Sequence, residues 1–281
     1  MSLSKEIAGT TAKKIRPNFS RKQLCIPYAL FLVLFVVLPL FIVVYYAFTD
    51  ANGVFTLHNF LSFFADTTKI TTLLISLLVA FLVTIICILI AYPVAFILSR
   101  MKKKVAFILL LLFIMPMWIN FVLRAMAMKE LLSLLGIKLG SFANIIGLTY
   151  DFFPFMVMPL YSTLIKMDKS LEEAALDLGA SKTKVFLKIT LPLSIPGIIS
   201  GAMMVFLPVM SCYVITDTFS GSTGFTVIGK LIAWCFMGEN GTMINTNGGA
   251  TISLIMLVIM FVTMLLTGGF KNDDNVRGTN I

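Results

Sequence analysis

Residues 171–192 read LEEAALDLGASKTKVFLKITLP and stand out from the rest of the chain by their charge. Six of these residues are Asp, Glu or Lys, whereas charged residues make up 12% of a chain that is 59% hydrophobic. Charged side chains are costly inside a bilayer and are expected in water. The apolar sequence on either side of the stretch therefore decides where it lies.

Six apolar runs flank this stretch, and each is long enough to cross the hydrocarbon core of a bilayer as a helix, which takes about 17–25 residues. The alternation of apolar and polar residues that is typical of membrane barrels is absent from them. The sequence therefore predicts an all-α polytopic membrane protein with six transmembrane helices. The predicted spans are 26–48, 70–98, 105–126, 142–165, 195–216 and 250–270.

Lysine and arginine are retained on the cytoplasmic side of a membrane protein, so their distribution predicts its orientation. Of the 22 such residues, six lie in the amino-terminal tail (1–25), four follow the second span, five lie in the loop 166–194 and two lie in the carboxyl tail (271–281). We expect both tails and this loop in the cytoplasm, with residues 26–270 as the transmembrane domain. The first apolar run is longer than the core of a usual signal peptide, so we expect it to be retained.

Local signals at the start of the charged stretch predict a short helix. Ser170 and Glu173 have the spacing of a capping box, which begins a helix. Gly179 can end that helix in the left-handed conformation. Residues at helical spacing between them form a narrow apolar stripe that suits either membrane headgroups or a groove on a partner protein. The stripe consists of Leu171, Ala174, Ala175 and Leu178.

A second short helix is predicted after the glycine. Ser181 can cap its beginning, and Val185, Phe186 and Ile189 provide an apolar face. Pro192 is expected to prevent the simple continuation of this helix.

The spacing within the stretch resembles the EAA motif of bacterial ABC importer permeases. Glu-Ala-Ala is followed after three residues by Gly, and after nine more by Ile-x-Leu-Pro. In that family the loop forms coupling helices that dock into a cleft of a separate ATPase subunit. The resemblance implies a type I ABC importer permease fold, which is MetI-like, and a coupling role for particular residues. These are Leu171, Glu173, Ala174, Ala175, Leu178, Gly179, Ile189, Leu191 and Pro192.

A longer resemblance covers most of the chain. The segments PMWINFVLRAMAMKELL (116–132) and IIGLTYDFFPFMVMPLYSTLIKMDKSL (145–171) are similar to the first permease subunit of spermidine/putrescine importers, the PotB type. Segment 205–232 is similar only in part, since Gly221-Ser222 stands where that family has paired glycines. The resemblance implies ATP-driven import of polyamines with three partners: a second homologous permease, an ATPase homodimer on the loop and an external substrate-binding protein. ATP and Mg²⁺ would bind the ATPase, so no cofactor is expected on this chain.

Acidic and aromatic residues within the spans are candidates for the substrate path. Asp151 follows Tyr150 in the fourth predicted span, Asp217 lies near Tyr213 at the end of the fifth, and Trp118 lies in the third. Carboxylates can pair with the ammonium groups of a polyamine, and aromatic faces can hold them by cation–π attraction. The same residues are also consistent with a helix cap, an interfacial position or an aromatic belt.

Two further features belong to the predicted outer side. Arg124, near a span end, is expected to reach the interface or to contact another subunit. The loop 217–249 has an apolar middle at 228–236, which predicts a partial helix that either meets the substrate-binding protein or packs over the outer mouth.

The sequence argues against an enzyme. Residues 224–230 approach the phosphate-binding Walker A pattern, but Leu231 stands where Ser or Thr would bind Mg²⁺. His58 is the single histidine, and no Cys, His or carboxylate partners lie around it at metal-ligand spacing. The net charge of +9 follows from membrane orientation, so no nucleic-acid partner is expected.

Three alternatives remain open from the sequence. The first is a permease of the same kind for another small solute, such as iron, phosphonate or thiamine. The second is a stand-alone secondary transporter, and the third is a membrane scaffold that transports nothing. The last two leave the motif in the loop 166–194 without a role.

Overall fold

The computed structural model describes residues 25–220, 224–238 and 244–267. The predictions for the tails 1–25 and 271–281, apart from Cys25, and for the end of the sixth span lie outside these residues. The regular elements of the described residues are helices. Most are α-helices, with π-helical turns at Val33–Val37 and Phe186–Thr190 and a 3₁₀ turn at Met115–Trp118. The helices are α1 (Cys25–Leu32), α2 (Leu38–Ala47), α3 (His58–Ala65), α4 (Thr67–Arg100), α5 (Lys103–Ile114), α6 (Phe121–Leu134), α7 (Ser141–Lys166), α8 (Ser170–Asp177), α9 (Lys182–Val185), α10 (Leu191–Ser211), α11 (Tyr213–Phe219), α12 (Ile228–Met237) and α13 (Thr246–Leu266).

Five continuous helices among the described residues are long and apolar enough to cross a membrane. They correspond to the first, second, fourth, fifth and sixth predicted spans, and confirm them as helices. Their bounds are Ile26–Ala47, Thr67–Arg100, Ser141–Lys166, Lys182–Ser211 and Thr246–Leu266. The chain forms two compact units that divide after Tyr45, and the site described below lies in the second.

The third predicted span, 105–126, is broken into two helices. Lys103–Trp118 and Phe121–Leu134 are bent by 101° at the break between them. Pro116 lies in the 3₁₀ turn that precedes the break, where its ring and missing amide disfavour further α-helix. The Asn120 side chain then accepts the amide of Val122 at 2.9 Å and begins α6, as asparagine favours at an N-cap.

The centre of the second unit is formed by α4, α7 and α10, which pack against one another along their lengths. Gly197 and Gly201 lie one turn apart on α10 and face α7. A Cβ atom at these positions would come within 2.6 Å of Thr163 and Met156 side-chain atoms, respectively. Glycines at this spacing allow two helix backbones to approach closely. The pair therefore fixes α10 against α7, which connects directly to α8.

The bundle has two ends that matter for function. At one, named here the α8 end, Arg100 at the end of α4 meets α8. At the other, the α12 end, Ile228 of α12 meets Ser76 near the beginning of α4. The fifth span does not continue to residue 216 as predicted, because α10 ends at Ser211 and α11 begins after Cys212. The partial helix predicted at 228–236 is confirmed as α12.

Candidate coupling site and translocation path

The helix predicted at the start of the charged stretch is present as α8, but its cap differs from the prediction. The Ser170 hydroxyl does not form a capping box with Glu173. Instead, Asp168 accepts the backbone amide of Ser170 at 3.0 Å. This hydrogen bond lowers the pKa of the Asp168 carboxyl below its ordinary value, since it favours the charged form. A carboxylate two residues upstream thus takes the position that the sequence assigned to Ser170.

Gly179 ends α8 as predicted. Its φ is +82°, in the left-handed region that glycine enters without steric cost. The Gly179 amide donates to the Leu176 carbonyl at 2.9 Å, and the Ala180 amide donates to the Ala175 carbonyl at 3.0 Å. This pair of bonds is the Schellman motif. It turns the chain sharply between α8 and α9.

Glu172 attaches α8 to the rest of the bundle, and sequence reasoning missed it. Its side chain is 11% exposed, although the neighbouring Glu173 is exposed. Its carboxylate accepts from Arg100 Nη2 at 2.6 Å and from the Thr190 hydroxyl at 2.8 Å. One acid therefore joins α8 both to the end of α4 and to the π-helical turn before α10. Nothing in the local pattern distinguishes it from Glu173.

This attachment leaves the predicted apolar stripe of α8 facing outward. Leu171 is 50% exposed and Leu178 is 89% exposed. Ala174 is exposed as well, and Ala175 is half-buried. An exposed apolar stripe on a short helix beyond the ends of the spans is typical of a surface that another protein covers.

The second helix of the loop begins as predicted, because the Ser181 hydroxyl accepts the Lys184 amide at 3.4 Å. Pro192 prevents a simple continuation of this helix, as expected, but it does not end it. The chain stays helical from Lys182 to Ser211, and the turn before the proline widens to a π-helix in which the Leu191 amide donates to the Phe186 carbonyl. A wider turn of this kind relieves the missing amide and the steric demand of a proline ring. The remaining motif residues Ile189 and Leu191 are half-buried, and Pro192 is exposed.

Aromatic contacts connect this widened turn to α4. The Phe186 ring meets the Tyr92 ring edge-on, with centroids 5.8 Å apart, and the Phe96 ring in the same way at 5.6 Å. The Tyr92 hydroxyl lies 3.0 Å from the Ser194 hydroxyl of α10. These contacts join the turn that follows α9 to α4, and they join α4 to α10.

Asp151 forms a buried ion pair with Arg124. The Arg124 Nε–H donates to Asp151 Oδ1, and the side chains are 9% and 2% exposed, respectively. Arg124 also donates to the Pro116 carbonyl at 3.2 Å. The expectation that Arg124 reaches the interface or another subunit is therefore wrong for this structure, where it ties the bent third span to α7. Asp151 has its counter-charge within the chain and does not present a free carboxylate.

The two aromatic candidates in this region lie apart from each other. Tyr150 is 37% exposed, and its ring centroid lies 5.9 Å from the guanidinium carbon of Arg124. Trp118 is 78% exposed at the bend of the third span. Most of Trp118 therefore lies on the surface of the described chain.

Asp217 and Tyr213, by contrast, line one pocket of about 180 Å³ at the α12 end. Lys230 and Trp234 of α12 line the same pocket, and neither was among the residues predicted from the sequence. Lys230 forms an ion pair with Asp217. The sequence signal that could have indicated Lys230 and Trp234 is their spacing of four residues on an apolar helix, which places both on one face.

A metal site is not formed by the described part of the chain, in which no group of three or more His, Cys, Asp or Glu side chains converges.

Comparison with known proteins places these features in a family. Residues 88–271 match the model of the family described as "Binding-protein-dependent transport system inner membrane component". The chain is 35% identical over 254 residues to the spermidine/putrescine transport system permease protein PotB of Escherichia coli strain K12, covering 82% of this chain and 92% of that protein.

Two solved structures are similar in fold. A chain of the bacterial alginate ABC transporter in complex with its alginate pentasaccharide-bound periplasmic protein superposes with a TM-score of 0.71 at 14% identity, covering 92% of this chain and 96% of that one. A chain of the MetNI methionine ABC transporter in an inward-facing conformation superposes with a TM-score of 0.56 at 16% identity, covering 70% of this chain and 92% of that one. The all-α, MetI-like fold of type I importer permeases is thereby confirmed.

Proposed function

This chain belongs to the family of binding-protein-dependent transport system inner membrane components, and from that membership we propose that it is the permease subunit of an ATP-driven polyamine importer. In this role it forms half of the translocation path for spermidine or putrescine. The observation that carries the proposal is the EAA spacing on an outward-facing α8 that Glu172 anchors to two spans, in a chain 35% identical to a spermidine/putrescine permease.

The coupling step follows from the contacts of α8. A partner ATPase receives the exposed stripe of Leu171, Ala174 and Leu178 in a cleft, and the small side chain of Ala174 allows the partner's backbone to come close. Movement of the ATPase then reaches Arg100 through Glu172 and reaches α10 through Thr190. Because α4 and α10 pack along α7 at the centre of the bundle, a shift of α8 changes how the spans pack.

The assembly contains a second homologous permease, two copies of the ATPase and an external substrate-binding protein. ATP and Mg²⁺ bind the ATPase, and this chain carries no cofactor and catalyses no reaction. Its α8 end and both termini face the cytoplasm of the bacterial cell, as the lysine and arginine distribution favours. The α12 end then faces the substrate-binding protein, with the pocket of Asp217 and Tyr213 at the entrance of the path.

Reconstitution of the assembled complex tests this function. We expect spermidine or putrescine, delivered by the substrate-binding protein, to raise the ATPase rate and to accumulate inside proteoliposomes. A complex that hydrolyses ATP in response to iron, phosphonate or thiamine and ignores polyamines would establish the same machine with another cargo. Uptake by this chain alone, driven by an ion gradient, would establish a secondary transporter instead. Purification of the chain without any ATPase partner would favour a scaffold.

A further inference from the structure

The pocket at the α12 end is built from two helices that each present a pair of residues four positions apart. Tyr213 and Asp217 lie on α11, and Lys230 and Trp234 lie on α12. Residues at this spacing share one face of a helix. The pocket measures about 180 Å³ and combines a carboxylate with two aromatic side chains. This is the chemistry that binds an alkylammonium group.

Two of the three cation-binding groups of the pocket, Asp217 and Trp234, are already engaged by a side chain of the protein itself. The Lys230 ammonium donates to Asp217 Oδ1 and lies 5.0 Å from the centroid of the Trp234 ring. The side chain of Lys230 is 22% exposed, whereas that of Asp217 is 55% exposed. The ammonium therefore points into the pocket, while the carboxylate stays open to an ion that arrives from water.

The position of Lys230 is fixed by contacts on its amino-terminal side. The Ile228 amide donates to the Ser76 hydroxyl of α4 at 2.7 Å. At Gly229 a Cβ atom would lie 2.1 Å from the Ser211 carbonyl oxygen, so α12 is held against the end of α10. Lys230 follows directly. Its pairing with Asp217 is thus part of a tightly packed junction of α4, α10 and α12.

The side chain of lysine is a four-carbon chain that ends in an ammonium group, and putrescine and spermidine contain the same aminobutyl group. We infer that the Lys230 ammonium occupies the pocket in the absence of cargo and is displaced by an ammonium group of the polyamine. The cargo then pairs with Asp217 and lies against Trp234, while Lys230 moves to water. This inference rests on the proposed polyamine function. Competition from Lys230 weakens the site, and transport requires a site that releases its cargo.

Equilibrium dialysis of labelled spermidine tests the inference on the assembled complex in nanodiscs, without the substrate-binding protein. Lys230→Gln is expected to tighten spermidine binding by about three- to tenfold, because Asp217 and Trp234 become free. Asp217→Asn is expected to weaken it at least about fivefold, since the carboxylate charge is lost. Lys230→Arg keeps a cation that pairs with a carboxylate and stacks on an aromatic ring at least as well as lysine does, so spermidine binding should not tighten. Lys230→Met serves as a second neutral variant if the glutamine variant is unstable.

Lys69→Gln is the matched control. Lys69 pairs with Asp66 at 3.3 Å near the same end of the bundle, but it does not line the pocket. Equal tightening by Lys69→Gln and Lys230→Gln would reveal a general effect of removing positive charge and would overturn the inference. Unchanged or weaker binding by Lys230→Gln would also overturn it, the latter in favour of a purely structural ion pair. A wild-type complex that imports another solute and neither binds nor imports polyamines would refute the proposed function and the inference together. Normal polyamine import, with spermidine binding unchanged by Lys230→Gln, would refute the inference alone.

Discussion

Arg100 and Glu172 are 72 positions apart in the chain, and Nη2 of the arginine lies 2.6 Å from Oε1 of the glutamate. The pair joins the end of a membrane-spanning helix to the short helix that carries the EAA spacing. Thr190 donates to the same carboxylate, so three elements meet at one acid. This junction determines which face of α8 is free for a partner.

Glu172→Gln is expected to destabilise the permease and to uncouple it. The loss in stability should be about 1–2 kcal/mol, because the carboxylate is largely buried while the 39% exposure of the Arg100 side chain lets water replace part of the interaction. Thermal unfolding of the purified complex measures the first effect, and cargo imported per ATP hydrolysed measures the second. Glu173→Gln makes the same chemical change at an exposed position and should unfold like the wild type. Identical unfolding of the two variants would contradict the anchoring role of Glu172.

Ala174→Trp is expected to prevent binding of the ATPase without harming the permease. Ala174 is exposed, so the chain accommodates the larger side chain, but a closely fitting cleft on a partner does not. Membrane insertion and thermal unfolding should be unchanged, while co-purification of the ATPase and transport are lost. Thr68→Trp, at an exposed position near the other end of α4, controls for the bulk of the substitution. Normal transport by Ala174→Trp would exclude this face of α8 from the docking surface.

Gly179→Ala tests the turn between α8 and α9. Open space surrounds a Cβ atom at this position, but its φ of +82° is unfavourable for alanine by about 1–2 kcal/mol. We expect weaker ATPase binding from Gly179→Ala and a smaller loss from Gly179→Asn, because asparagine tolerates the left-handed region better. The affinity of the ATPase for the nanodisc-embedded permease measures the effect and should decrease in the order Gly, Asn, Ala at this position. Equal affinities for all three would show that the turn does not position the docking surface.

The buried pair of Arg124 and Asp151 should be structural. Asp151→Asn or Arg124→Gln leaves one buried charge without its partner, which costs about 3–5 kcal/mol. The double variant is expected to lose less than the sum of the single variants, because no charge is left unpaired. Thermal unfolding of the four proteins without cargo completes the cycle. Additive losses would contradict the interaction between the two residues, and unchanged stability of Asp151→Asn would contradict a structural role for Asp151.

Acidification should loosen the beginning of α8. The pKa of Asp168 is lowered by the hydrogen bond from the Ser170 amide, so the charged carboxylate stabilises the helix start at a pH above its ordinary pKa. This stabilisation is lost as the pH falls from about 4 through the lowered pKa of the folded state. Amide exchange at Ser170, compared between wild type and Asp168→Asn, measures it. The difference between the two should shrink below pH 4, and a difference independent of pH would contradict the cap.

Local sequence signals predicted the elements whose causes are local. Apolar runs of sufficient length predicted six spans, of which five are continuous helices. Gly179 and Ser181 predicted the end of α8 and the beginning of α9. The differences from these predictions also have local causes. Asn120 after Pro116 indicates a new helix within the third span, and Asp168 competes with Ser170 for the cap of α8.

The fixed spacing from Glu173 to Pro192 indicated the family, and the structure added the orientation of the loop. The motif does not distinguish an acid that faces a partner from one that faces the bundle. The structure does, because Arg100 and Thr190 come to Glu172 from other elements, while Glu173 remains exposed.

The sequence by itself determined the number of apolar runs, the helical nature of the chain and the place of the loop with the EAA spacing, since these depend on composition and on spacings of a few residues. Only the tertiary structure decided which charges are paired. Glu172 pairs with Arg100, Asp151 with Arg124 and Asp217 with Lys230. The partners are 72, 27 and 13 positions apart in the chain, respectively. The energy of a buried charge depends on the partner that folding brings to it. That partner is set by the packing of helices and not by the neighbours in the sequence.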